Sequence, residues 1–120
     1  MYLIKRLKSF IHAFNGLVYL FRFEPNAQIH LLAIIVVTIA GFWFNINNLE
    51  WIAIVICIAL VIAAEAVNAA IERFCNLVEP KFNNHVKHIK DLAAGSVLIC
   101  AVVSVIVALI IFLPKIFYKT

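Results

Sequence analysis

Residues 49–72 read LEWIAIVICIALVIAAEAVNAAIE, and this stretch decides the fold. Apart from Glu50 it is apolar from Leu49 to Ala64, and it continues without a break into Glu65-Ala66-Val67-Asn68-Ala69-Ala70-Ile71-Glu72. About 20 residues of helix cross the hydrocarbon core of a bilayer, so the run is long enough to span it. Lipid offers the backbone no hydrogen-bond partner, which leaves a helix as the only form for a single apolar run. On that helix, steps of three, four and seven residues return to nearly the same angle, and Glu65, Asn68, Glu72 and Asn76 share one face. An ionisable group in hydrocarbon costs roughly 3 kcal/mol or more and therefore faces protein, water, a metal or a substrate. The chemistry is expected on this polar stripe.

The surrounding chain agrees with a membrane setting. Its 120 residues are 66% hydrophobic, with mean hydropathy +1.07, well above the roughly 45–50% apolar share of soluble domains. Residues 92–113 form a second span-length run, while 29–44 crosses only by borrowing flanking residues, with Phe42, Trp43 and Phe44 as an aromatic belt. Near the amino terminus, Leu3, Ile4, Leu7, Phe10, Ile11, Phe14, Leu17, Val18 and Phe21 form a helical stripe opposite Lys5, Lys8, His12, Asn15, Tyr19 and Arg22. An amphipathic helix with a cationic face and no span-length run lies in the membrane interface. Pro25 interrupts it, so 24–30 is read as the corner into the bilayer. Residues 45–48 make a tight polar turn, and 79–85 a longer loop. The expected fold is an all-α integral membrane domain over 1–120, with a surface helix at 1–23 and transmembrane helices at 28–45, 49–74 and 91–113. Ala93, Ala94, Gly95 and Ser96 open the last of these with small residues that permit close helix packing.

Charge placement sets the expected orientation. Lys and Arg outnumber Asp and Glu by ten to six, and Lys5, Arg6, Lys8, Arg22, Arg73, Lys81, Lys87 and Lys90 all fall on one side of the predicted spans. Only Lys115 and Lys119 fall on the other. The positive-inside rule then places the amino terminus and the 73–90 segment in the cytoplasm. Because the basic residues flank spans rather than form a stripe, nucleic acid is not an expected partner. Cys57, Cys75 and Cys100 lack CxxC spacing and read as free thiols. No cleavable signal peptide is expected from the alternating amino-terminal pattern.

Five of the six acidic residues, Glu24, Glu65, Glu72, Glu79 and Asp91, fall at or near the same predicted membrane face. Carboxylates gathered there suit Mg²⁺, a hard cation usually held by one or two carboxylates plus substrate phosphates. That in turn suits ATP. Phosphoryl transfer asks a protein mainly for positioning, charge neutralisation and a base for the attacking hydroxyl. Glu65, deepest in the apolar run, is the candidate base, Glu24 and Glu72 are the candidate metal ligands, and Lys90 is a point charge for phosphate. Gly16, Gly41 and Gly95 are isolated, so no glycine-rich phosphate loop exists and a nucleotide site must be built otherwise. Plainer readings stand beside these: Asn68 as interhelical glue, Glu24 as a turn residue, Glu72 as a solvated helix end, and Lys90-Asp91 as a snorkelling lysine and a helix cap. His30 is read as structural, and His85 and His88 as part of a polar loop rather than a zinc site.

Taken together, the motifs resemble the prokaryotic diacylglycerol kinase and undecaprenol kinase family of small membrane lipid kinases. Glu65-x-x-Asn68-x-Ala70-Ile71-Glu72 is similar to the family's E-x-x-N-[ST]-A-I-E, and Lys90-Asp91-x-Ala93-Ala94-Gly95-x-Val97-Leu98 to its K-D-x-A-[AS]-[AG]-A-V-L. Glu24-Pro25-Asn26-Ala27-Gln28-Ile29-His30 resembles the E-x-N-x-[RK]-I-H form of the undecaprenol kinase branch. The resemblance implies a homotrimeric bundle in the bacterial inner membrane with composite active sites on the cytoplasmic side. It also implies ATP-dependent phosphorylation of a lipid alcohol, undecaprenol favoured over diacylglycerol. Carried over, Glu65 is the catalytic base, Asn68 orients groups near the transferred phosphoryl, and Glu24 and Glu72 hold Mg²⁺. Lys90 and Asp91 contact the nucleotide. Ala69, Gln28 and Asn76 depart from the usual Ser or Thr, basic residue and Asp, and the last two remove charge near the expected nucleotide site. A small proton-coupled transporter and an inactive scaffold of the same fold are the alternatives.

Overall fold

The four helices of the computed structural model are α1 (Tyr2–Phe23), α2 (Pro25–Trp43), α3 (Asn48–Val78) and α4 (Asn84–Tyr118). It describes residues 1–118, so Lys119 lies outside the described residues. Helices α2, α3 and α4 are each long and apolar enough to cross a membrane. At 31 residues, α3 is about 46 Å long and exceeds the ~30 Å hydrocarbon thickness. Glu65 lies about 26 Å along it, near the far boundary of a core entered at Asn48.

The helices outrun the predicted spans at several ends, α3 reaching Val78 rather than 74 and α4 Tyr118 rather than 113. The corner predicted over 24–30 contracts to Glu24 alone, which is extended (φ −102°, ψ 112°) between α1 and α2. Proline has no N–H to lose in the first turn of a helix, so Pro25 begins α2 instead of preceding it. The predicted start of the last span at 91 moves back to Asn84, where the Asn83 side chain accepts the His85 N–H at 2.8 Å. Asp91 therefore lies in the second turn of α4 and does not cap it.

At the turn between α2 and α3, Asn45 takes a left-handed φ of 51°, tolerated by asparagine. Asn47 then caps α3: its Oδ1 accepts the Glu50 N–H at 2.9 Å, and its own N–H donates to Glu50 Oε1 at 3.0 Å. Glu50 Oε2 also pairs with Lys115 Nζ at 3.3 Å, which ties the start of α3 to the end of α4. The same end of the bundle holds an apolar cluster of Ile46, Ile54, Ile111 and Phe112. Gly41 lets α2 pass close to α3 there, since a Cβ would sit 2.5 Å from the Trp51 ring.

At the opposite end Leu20 of α1, Ala27 of α2 and Ala69 of α3 form a second buried cluster. Small alanines on α2 and α3 allow the backbones to approach, and the last turn of α1 docks on the pair. Glu24, between Leu20 and Ala27, is thereby carried against the α3 face that bears Glu65 and Asn68. The rest of α1 presents exposed apolar side chains, Leu3, Leu7, Phe10 and Phe14 among them, as an interfacial helix does.

Candidate functional site

Glu65 and Asn68, one helical turn apart on α3, are the two buried polar residues among those described, with 2% and 4% of their surface exposed. Neither is fully satisfied: Glu65 Oε2 and Asn68 Oδ1 are buried and lack a hydrogen-bond partner. Leaving a buried acceptor unpaired costs about 1–3 kcal/mol. A fold that orphans two oxygens side by side has them available to something other than its own backbone.

The residues around them come from three elements. Glu72 follows on α3 at half-buried depth, Glu24 projects from the corner, and His30 projects from α2. Glu24, Glu72 and His30 are the ionisable neighbours of Glu65. His30 Nε2 lies 3.6 Å from Glu65 Oε2. On the sequence alone His30 reads as structural. Its signal was nonetheless present, because an ionisable side chain within an apolar span marks a functional site by default.

Glu24 is held from α3. Arg73 donates to Glu24 Oε1 through Nε at 2.8 Å and a terminal N–H at 2.5 Å. The Arg73 guanidinium also lies 4.8 Å over the Tyr19 ring of α1, a cation–π arrangement that fixes its plane. Arg73 thus links α1, the corner and α3, a role without a sequence signature.

Lys90 reaches the same face by another route. Its Nζ donates to Asn76 Oδ1, and Asn76 continues the Glu65, Asn68, Glu72 stripe toward the end of α3. Asp91 does not join them. It pairs with Lys87 one turn back at 2.7 Å, with 59% of its side chain exposed, and borders a separate shallow groove with His88, Gly95, Ser96 and Ile99 on α4. Gln28 donates from Nε2 to the Arg22 carbonyl at 3.1 Å, so it stabilises the corner and adds no charge to the site.

The candidate metal ligands beside the stripe, the Glu24 and Glu72 carboxylates, offer only oxygen. Such a set suits a hard divalent cation. Among the described residues no three His, Cys, Asp or Glu side chains converge as a metal cage.

Below His30 an apolar cavity of about 470 Å³ opens between α2, α3 and α4, reaching past Ile34, Val61 and Ser104 to Phe112. The site is thus a polar cluster at one end of the bundle above a space lined by hydrocarbon. That arrangement can receive a molecule with a polar head and an apolar tail.

Comparison with known proteins points the same way. A family model described as prokaryotic diacylglycerol kinase matches residues 11–112. Undecaprenol kinase of Bacillus subtilis is 41% identical over 108 residues, covering 90% of this chain and 88% of that protein. Diacylglycerol kinase of Synechocystis sp. is 31% identical over 109 residues, covering 90% of this chain and 62% of that protein, so this chain spans under two thirds of that relative.

Proposed function

Because the chain belongs to the prokaryotic diacylglycerol kinase family and is a multi-pass membrane lipid kinase, we propose that it transfers the γ-phosphoryl group of ATP to the terminal hydroxyl of undecaprenol in preference to diacylglycerol. The observation that carries the site assignment is Glu65, buried with a free Oε2 beside Asn68 and flanked by Glu24 and Glu72. Similarity to an undecaprenol kinase over nearly the full length of both chains supports the lipid preference.

Glu65 takes the proton of the lipid hydroxyl as its oxygen attacks the γ-phosphorus. Exclusion of water around Glu65 keeps that proton transfer directed to the lipid and limits wasteful hydrolysis. Asn68 orients the groups next to the phosphoryl in flight. Glu24 and Glu72 would hold Mg²⁺, which supplies charge neutralisation on the phosphates when bound. Lys90, aligned by Asn76, meets a phosphate as a point charge. Asp91 contacts the nucleotide, but in one chain it faces away from the stripe. Its position supports sites shared between subunits of a homotrimer, where the α4 of a neighbour completes the cluster. Clustering of Lys5, Lys8, Arg22, Arg73, Lys87 and Lys90 at the site's end of the bundle supports a cytoplasmic site in the bacterial inner membrane.

The test is incubation of the purified protein with labelled ATP, Mg²⁺ and each lipid in turn. Label should enter undecaprenol faster than diacylglycerol. The reverse order overturns the preference, and no label in either lipid with the protein intact overturns the proposed reaction.

A further inference from the structure

Turnover poses a problem for Glu65 that the site described so far does not solve. A base that takes a proton must lose it before the next cycle, yet only 3% of the Glu65 side chain is exposed and its Oε2 has no hydrogen-bond partner. Direct transfer to water is blocked by the burial that makes the site dry. Among the described residues one titratable side chain stands at ion-pair distance from that oxygen: His30, with Nε2 at 3.6 Å and 22% of its side chain exposed. His30 lies about 8 Å from the start of α2, within reach of the interface, and its ring also borders the apolar cavity. The other charged neighbours cannot serve. Glu24 and Glu72 are the proposed Mg²⁺ ligands, and Arg73, bound to Glu24, keeps its proton throughout.

We propose that His30 is the proton relay that returns Glu65 to its ionised form after each phosphoryl transfer. This rests on Glu65 being the base. In the first step the lipid O–H bond breaks and its proton goes to Glu65 Oε2. The lipid oxygen forms a bond to the γ-phosphorus, and the bond from that phosphorus to the bridging oxygen breaks with its electron pair leaving on ADP. In the second step the Glu65 proton passes to Nε2 of the neutral imidazole, and the imidazolium releases one proton to water at the interface. Atoms and charge balance without a further reactant. A separation of 3.6 Å is closed by a small side-chain rotation, and acid–base contacts commonly tighten when substrate is bound. Histidine suits the task because one ring nitrogen can accept a proton while the other releases one.

Chemical rescue in the full-length protein distinguishes a relay from a structural prop. His30→Ala and His30→Gln should each lower kcat for lipid phosphorylation by about 100-fold, with KM for ATP and lipid within about twofold and helical content and particle size unchanged. The cavity beside position 30 gives a small heterocycle room to enter. Added imidazole should restore at least a tenth of the lost rate to His30→Ala, and the restored rate should rise with basicity from 4-bromoimidazole to imidazole to 4-methylimidazole. Unchanged kcat in both variants overturns the relay. So does a loss that no imidazole relieves, or a rescue indifferent to basicity, which would mark His30 as a space-filling or positioning residue. Parallel assays of the unaltered protein and Glu65→Gln separate the two levels. An inactive unaltered protein removes the proposed reaction itself, and an active Glu65→Gln removes the base, whereas failure confined to the His30 series removes only the relay.

Discussion

Arg73 holds Glu24 through a single carboxylate oxygen: both of its N–H contacts, at 2.8 and 2.5 Å, fall on Oε1. The second oxygen makes no hydrogen bond to the described residues, so the carboxylate is oriented and still has a lone pair to offer. Groups that orient a ligand in this way typically alter metal affinity or activity 10–100-fold when removed. Arg73→Ala should therefore raise the Mg²⁺ concentration for half-maximal activity by about tenfold. Half of the Arg73 side chain is exposed, so stability should change little. Mn²⁺ binding followed by electron paramagnetic resonance checks the first effect independently of turnover, and an unchanged metal affinity would mean that Arg73 only braces the corner.

Glu24 and Glu72 should be the residues whose loss the metal can partly offset. In Glu24→Gln and Glu72→Gln, excess Mg²⁺ should recover part of the activity. Chelation with EDTA should abolish activity in the unaltered protein, and Mn²⁺ should restore it. A titration of rate against free metal in each variant reads this directly. A metal requirement equal to that of the unaltered protein would remove both carboxylates from the ligand set.

Lys90 is held against the end of the stripe by Asn76, and the account gives it a phosphate to meet. A hydrogen bond to a charged group contributes about 1.5–3 kcal/mol, so Lys90→Ala should raise KM for ATP by at least about tenfold while leaving KM for lipid nearly unchanged. Asn76→Ala should produce a smaller effect in the same direction, since it loosens Lys90 without removing its charge. Steady-state kinetics with each substrate varied separately tests the split.

The Glu50–Lys115 pair at the opposite end should matter for stability and not for chemistry. Glu50 serves both the Asn47 cap and Lys115. Lys115→Ala should lower stability by about 0.5–1 kcal/mol in thermal unfolding, with turnover within twofold. A large loss of turnover would show that the two ends of the bundle are coupled.

The helical stripe on α3 was legible in the sequence because period alone places Glu65, Asn68 and Glu72 together, and the apolar run alone requires a membrane. Contacts between distant residues were not. Glu24 and Arg73 are 49 positions apart, and their meeting depends on Leu20, Ala27 and Ala69 packing at the corner. Glu24 is a candidate ligand from its place at the membrane face, and His30 closes the Glu24–His30 motif yet reads there as structural, while Arg73 belongs to no motif. Asp91 shows the opposite limit: it follows Lys90 in a recognisable motif, yet one step of 100° on a helix turns it to another face, where it pairs with Lys87. The corner was misjudged in extent because proline was read as ending a helix, when at the first position it begins one.

The central claim is that Glu65 is the general base of phosphoryl transfer to a lipid alcohol. Single-turnover transfer of the γ-phosphoryl group of bound ATP to undecaprenol, compared between the unaltered protein and Glu65→Gln, tests it most directly. The account predicts that Glu65→Gln binds ATP with affinity within about threefold of the unaltered protein and transfers phosphate at least about 100-fold more slowly. Transfer at a near-normal rate by Glu65→Gln would contradict it.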